Sequence, residues 1–335
     1  MLNKKSLANR VLVGIGVFAL MIGMILIDIY LPGYRKSSDV FKFISGRSIN
    51  AVIISVIIFL SVIEMRRAIG RERIPDCFSW LLWFYAIGLG LTYSMFGFMG
   101  IVFLTLLVFV AATITALVQN RVDSLIYITF MLIYPGMFMS ALLYLNRCAN
   151  TFPIADGNPI LEYVDYDIWQ YFGERSGSLL LPYNAISIAF VFAVSSFTDV
   201  FAYFVGSICG KHKLCEKISP KKTVEGAIGG LFGGLFGSFV VFAVFDWAKL
   251  FGAHFGLTFP GLGLSYASIA IIYVVIGILG SAMTQVGDLL ASLVKRYCGI
   301  KDYSRILGEH GGIMDRFDGI MVNAVFVAFV FMFII

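Results

Sequence analysis

The sequence predicts an all-α, polytopic membrane protein with about nine transmembrane helices, and three observations carry that expectation. Of the 335 residues 59% are hydrophobic and 13% are charged, with a mean hydropathy of +0.90, whereas soluble domains carry about 25% charged residues. Several apolar runs are long enough to cross a hydrocarbon core roughly 30 Å thick, which takes about 20 helical residues. The alternating pattern of a membrane barrel is absent. A backbone in lipid must satisfy its own polar groups, so helices are the open-chain solution.

Hydropathy places the spans at Val11 to Leu31, Ser48 to Ile63, Phe78 to Met95, Gly97 to Val118, Ser124 to Leu145, Asn184 to Ile208, Ala227 to Leu250, Ser265 to Leu290 and Gly319 to Ile335. The first follows Lys4, Lys5 and Arg10 and has no small-residue cleavage site before the next polar segment, so it reads as a retained span. Only a short link around Phe96 to Gly100 separates the third span from the fourth. Five cysteines are scattered without a C-x-x-C pair, which argues against a zinc or redox framework. No internal repeat is visible.

The basic residues orient these spans. With the N-terminus inside, the cytoplasmic segments collect Lys4, Lys5 and Arg10; Arg66, Arg67, Arg71 and Arg73; Arg121; Lys211, Lys213, Lys217, Lys221 and Lys222; and Lys295, Arg296, Lys301, Arg305 and Arg316. The outer segments hold Arg35, Lys36, Lys42, Arg47, Arg147, Arg175 and Lys249. The excess inside predicts a cytoplasmic N-terminus and an extracytoplasmic C-terminus in a bacterial-type inner or plasma membrane. The loop from Pro32 to Arg47 resists, since it carries four of the outer charges. Residues 1–183 read as N-terminal membrane helices ending in an outer acidic loop (146–183) with Asp156, Glu162, Asp165, Asp167 and Glu174. Residues 184–335 read as a C-terminal catalytic membrane region with cytoplasmic loops.

Two cytoplasmic segments hold most of the chemistry. In "TDVFAYFVGSICGKHKLCEKISPKKTVEG" Asp199, Ala202, Tyr203 and Gly206 share one helix face. An ionisable group within a span defaults to the bundle interior or a wet cavity; the bland reading of Asp199 is a hydrogen bond between helices. Lys211, Ser219, Lys221, Lys222, Thr223 and Glu225 follow, with Thr223 and its acid resembling a helix start whose free N–H groups suit an anion. The alternative is a basic anchor on lipid headgroups. In "TQVGDLLASLVKRYCGIKDYSRILGEHGGIMDRFDG" Thr284, Asp288, Ser292 and Lys295 form a polar stripe, and Asp315 and Asp318 lie i, i+3 apart. Acids from two helices plus a triphosphate suit Mg²⁺, which takes few protein carboxylates and completes its shell with phosphate oxygens. Gly311 and Gly312 allow close backbone approach, and His310, Arg316, Lys295 and Arg296 supply donors to phosphoryl oxygens. Singly, His310 reads as a structural hydrogen-bonder, and Lys295 and Arg296 as side chains reaching for the interface.

Together these residues resemble the phosphatidate cytidylyltransferase family, also called CDP-diacylglycerol synthases. Its C-terminal signature is matched by Ser292, Lys295, Arg296, Lys301, Asp302, Ser304, Leu307, Gly308, His310, Gly311, Gly312, Asp315, Arg316, Phe317 and Asp318, with Glu309 where Gly is frequent. The upstream block from Asp199 to Gly226 matches too, so the likeness covers roughly the last 150 residues in detail. The resemblance implies transfer of a cytidylyl group from CTP to phosphatidic acid in phospholipid biosynthesis, with Mg²⁺ required and a second, monovalent cation left open. It implies a homodimer in the lipid bilayer and no nucleic-acid partner. On this reading Asp288 and Asp315 hold the metal with Asp318 beside them; Lys221, Lys222 and Arg316 stabilise phosphate charge; and Asp199 and Tyr203 orient the cavity. The rival readings are a CTP-dependent polyprenol or lipid kinase, a CDP-archaeol-type synthase and, outside enzymes, a transporter.

Overall fold

The computed structural model of the protein describes residues 16, 19–20, 22–27, 46–146, 149–153, 178–250, 256–258, 264–307 and 311–334. Among the described residues eight helices are long and apolar enough to cross a membrane. They correspond to eight of the nine expected spans. The other, Val11 to Leu31, lies mostly outside the described residues and is helical where it is described. The acidic residues expected in the 146–183 loop also lie outside them.

The chain runs α1 (Gly46–Ile69), α2 (Asp76–Phe96), α3 (Phe98–Val118), then α4 (Val122–Met131) and α5 (Phe138–Leu145), joined by a π-helical turn at Leu132–Met137. Strands β1 (Ala149–Pro153) and β2 (Ser178–Pro182) pair antiparallel. Then come α6 (Asn184–Cys209), the antiparallel hairpin β3 (Lys213–Cys215) and β4 (Ser219–Thr223), α7 (Val224–Phe242), α8 (Tyr266–Tyr297) and α9 (Met314–Ile334). Both α8 and α9 extend past the apolar runs that signalled them. The expected spans stop at Leu290 and restart at Gly319, but a polar stripe interrupts apolarity without interrupting the helical backbone. Lys295 and Arg296 also sit in the last turn of α8, where the helix dipole favours cations.

The lipid-facing surface follows from composition. On α3, Phe103, Leu106 and Leu117 point outward with 65%, 62% and 69% of their area exposed. That surface would be an aggregation patch in water and is at no cost in hydrocarbon. Gly97, at φ +62°, breaks α2 from α3, in a region of backbone space that favours glycine. Pro135 breaks the Val122–Leu145 span from within: Tyr134 leaves helical geometry at φ −123°, ψ 109°, because proline lacks an N–H and its ring clashes with the preceding turn. Tyr85 Oη donates to the carbonyl of Leu132 at 2.9 Å, which meets the demand for an internal partner at membrane depth.

The core of the C-terminal half is the tight packing of α6, α7 and α8. A Cβ on Gly226 would lie 2.8 Å from the Ala202 carbonyl oxygen and 3.1 Å from Gly206 Cα, and one on Gly230 would lie 2.8 Å from Gln285 Nε2. Small residues let membrane helices approach this closely and gain dispersion contacts. Deeper in the bundle, Ser195 Oγ and Thr284 Oγ1 are 3.0 Å apart, and Asn323 donates to Ser195 Oγ and to the Val191 carbonyl, so α6, α8 and α9 share one polar node. Helix α9 also packs on α5 and α1. Gly226→Val is expected to destabilise the protein by about 1–3 kcal/mol through overpacking, because two of its three nearest neighbours are backbone atoms that cannot rotate away. Thermal unfolding in detergent micelles checks this: an unchanged Tm would mean the α6–α7 contact is loose.

Candidate active site

At one end of α6, α7 and α8 a cavity of about 350 Å³ opens between these helices and the β3–β4 hairpin. Asp199, Ala202, Tyr203 and Gly206 all line it, so the face of α6 read from helical spacing is the face turned to the cavity. Lys221, Lys222 and Thr223 of β4, Gly226 of α7, and Gln285 and Asp288 of α8 complete the wall. Local chemistry sets each of these. Thr223 caps α7 by accepting from Gly226 N at 3.1 Å, which ends β4 and holds the two lysines before it at the helix N-terminus. Glu225 accepts from the backbone N–H groups of Lys211 and His212 and bonds His212 Nδ1 at 2.6 Å, closing the hairpin onto α7. Arg296 donates from Nε to the Ile218 carbonyl at 3.2 Å, closing it onto α8.

Charge is organised in two layers. In the first, Lys222 Nζ pairs with Asp288 Oδ2 at 2.7 Å across the cavity, with both side chains about one-third exposed. Asp199, surrounded by protein yet reached by solvent through the cavity, feels the like charge of Asp288 and the opposite charges of Lys222 and Arg316. In the second, Lys295 Nζ pairs with Asp315 Oδ1 at 2.7 Å, and both side chains are largely buried. The other oxygen of Asp315 accepts from Tyr303 N and Gly312 N, each at 2.9 Å. Asp318 is buried between the layers, accepts from Gly319 N, and feels Asp288, Lys295 and Asp199. Burial pushes the Tyr303 phenol well above its usual range, with Asp318 and Asp315 adding to the effect. The phenol therefore stays neutral and donates to the Ala291 carbonyl at 3.2 Å.

Asp199, Tyr203, Lys221, Lys222, Thr223 and Asp288 thus face one cavity; Asp318 on α9 feels two of them, Asp288 and Asp199, as well as Lys295 on α8, which pairs with Asp315. Lys211, Ser219 and Glu225 belong to the hairpin or its closure and do not line the cavity. Gly311 and Gly312 lie against carboxylates, Gly311 at φ +80° beside Asp315. His310 lies outside the described residues. Among the described residues no three His, Cys, Asp or Glu side chains form a ready-made metal site, so a cation here would draw the rest of its shell from a ligand.

Three participants escape the sequence reading. Gln285 lines the cavity and donates to the Ala227 carbonyl at 3.1 Å. Tyr134, placed by the Pro135 break, buries a hydroxyl with no hydrogen-bond partner among the described residues, in the field of Tyr303, Asp318, Asp288 and Asp315. Glu64, fully buried on α1, contacts the segment leading into α9. Its signal was present, since an acid at the end of an apolar run needs a partner, but the expected span stopped one residue short of it.

Comparison with known proteins follows the same residues. The model of the cytidylyltransferase family matches residues 38–334. The chain is 31% identical over 177 residues to the phosphatidate cytidylyltransferase of Aquifex aeolicus (strain VF5), covering 48% of this chain and 59% of that protein. It is 38% identical over 143 residues to the Brucella abortus biovar 1 (strain 9-941) protein of the same name, covering 43% and 46%. With the Staphylococcus haemolyticus (strain JCSC1435) protein of that name it shares 34% identity over 159 residues, covering 48% and 52%. The chain spans about half the length of the curated relatives it matches. Because the family match runs from α1 and its approach through the last helix and takes in both charged layers, the chain belongs to the cytidylyltransferase family.

Proposed function

We propose that this chain is a CTP:phosphatidate cytidylyltransferase that works at the cytoplasmic face of its membrane. The observation that carries the reading is the Lys222–Asp288 pair across a cavity walled by acid-bearing membrane helices on one side and a basic hairpin on the other. A nucleoside triphosphate approaches from water, whereas the phosphate of phosphatidic acid sits at the membrane interface. A cavity at the end of the spans serves both.

In the reaction a phosphate oxygen of phosphatidic acid forms a bond to the α-phosphorus of CTP. The bond from that phosphorus to the bridging β-oxygen breaks, and pyrophosphate leaves with the electron pair. Phosphoryl transfer of this kind needs positioning and charge neutralisation rather than a protein nucleophile. Lys221 and Lys222 neutralise the triphosphate and the departing pyrophosphate, Arg316 adds charge beside Asp199, and Asp199 and Tyr203 orient the polar wall. The residues fit Mg²⁺: the Asp288 carboxylate and Asp315 Oδ1 each already face an ammonium group, so both oxygens stand where positive charge is favoured. The second oxygen of Asp315 is fixed by two backbone N–H groups, the kind of support that orients a metal ligand. We assign the ion to Asp288 and Asp315, with Asp318 beside them. When bound, Mg²⁺ would supply charge neutralisation at the phosphate oxygens.

Purified protein with Mg²⁺, phosphatidic acid and CTP labelled at the α-phosphate is expected to yield a labelled lipid. Label entering lipid only from the γ-position would replace the reading with a lipid kinase. Substrate flux in proteoliposomes without CTP, and no lipid labelling, would replace it with a transporter.

A further inference from the structure

Glu64 is on α1, in the half of the chain that contains none of the signature residues, and none of its surface is exposed. Its Oε1 accepts from Ser304 Oγ at 2.6 Å and from Ile313 N at 3.0 Å, and its Oε2 accepts from Met314 N at 2.8 Å. The carboxylate therefore sits on the start of α9, where unpaired N–H groups and the helix dipole favour a negative charge, and it also grips the segment that joins α8 to α9. Three bonds to one charged group, across 240 or more residues of sequence, make a firm anchor, because hydrogen bonds to charged partners are about twice as strong as neutral ones.

The two adjacent glycines follow from the same geometry. A Cβ on Gly311 would lie 2.5 Å from Asp315 Oδ2, and a Cβ on Gly312 would lie 2.5 Å from Glu64 Cδ. Each glycine makes room for one carboxylate: Gly311 for the acid of the helix itself, Gly312 for the acid of α1. Asp315, Arg316 and Asp318 all stand in the first two turns of α9, so whatever sets the start of that helix sets the second charged layer against Asp288.

We propose that Glu64 is a positioning residue of the active site, a brace from the N-terminal helices that fixes the first turn of α9 and with it Asp315, Arg316 and Asp318. Its kinetic consequence rests on the cytidylyltransferase reading; its structural consequence does not.

The test uses the full chain in detergent micelles. Glu64→Gln keeps the shape of the side chain but replaces an acceptor oxygen with an NH₂ group and removes the charge. Amide hydrogen exchange over residues 311–318 is expected to rise roughly 10- to 100-fold, with α6 and α7 peptides unchanged. Turnover is expected to fall about 10- to 100-fold. Glu64→Asp, which keeps the charge one methylene short, is expected to recover part of both. Gly312→Ala is expected to impair the parent strongly but to add little in a Glu64→Ala background, where the carboxylate it collides with is gone. Unchanged local exchange in Glu64→Gln, or loosening spread evenly over the molecule, overturns the brace. So does additivity of Gly312→Ala with Glu64→Ala. If Glu64→Gln does not fold, Ser304→Ala must loosen the same peptide, and failure to do so is equally fatal. Local loosening in a protein that transfers no cytidylyl group leaves the brace standing and removes the reaction.

Discussion

Asp288→Asn is expected to leave a folded protein whose CTP-dependent turnover is lower by on the order of 10²- to 10³-fold, the size of effect seen when one preorganised electrostatic contact is removed from a site. The substitution keeps the shape of the side chain and removes its charge. Little stability is at stake, because the pair with Lys222 is about one-third exposed, and such pairs contribute about 0–1 kcal/mol. Removing the charge also relieves its repulsion of Asp199 and Asp318, which works against any loss. The expected combination is thus a Tm within a few degrees of the parent and a collapse of labelled-lipid formation. Turnover above about a tenth of the parent, well short of the loss expected for one preorganised contact, would take Asp288 out of the chemistry.

Asp315→Asn is expected to fail in two ways at once. Its ion pair with Lys295 is largely buried, at 7% and 14% side-chain exposure, and removing one partner of a buried pair costs about 3–5 kcal/mol because the remaining charge is stranded. The amide that replaces the carboxylate also has one acceptor oxygen where Lys295, Tyr303 N and Gly312 N need two. A lower Tm and loss of turnover should therefore appear together. Adding Lys295→Met removes the stranded charge and is expected to return part of the Tm while turnover stays lost. Stability recovered with turnover recovered would make Asp315 a structural residue only; a parent-like Tm in the single variant would mean the pair contributes nothing to the fold.

The contrast between these two acids shows where sequence reasoning reaches its limit. The two look alike in the chain, each an aspartate near the end of an apolar helix within a motif. The structure separates them by burial and partners: Asp288 faces a cavity and a partly exposed lysine, whereas Asp315 is held by a largely buried ammonium and two amides. The same holds on the basic side. Lys221 and Lys222 line the cavity, but Glu225, equally prominent in the motif, closes the hairpin onto His212 instead.

By itself the sequence determined the membrane class, eight of the nine helical spans that the described residues can test, the face of α6 that turns to the cavity, and the family. All of these are properties of nearest neighbours and of short periods, and hydropathy, helical spacing and a continuous motif record them directly. Only the tertiary structure decided that the Tyr134 hydroxyl is buried in the field of the acids, that the charged residues fall into two layers, and that Glu64 reaches from α1 to the start of α9. Each of those depends on a contact between residues far apart in the chain, and the free energy of such a contact belongs to neither partner alone, so no local pattern carries it.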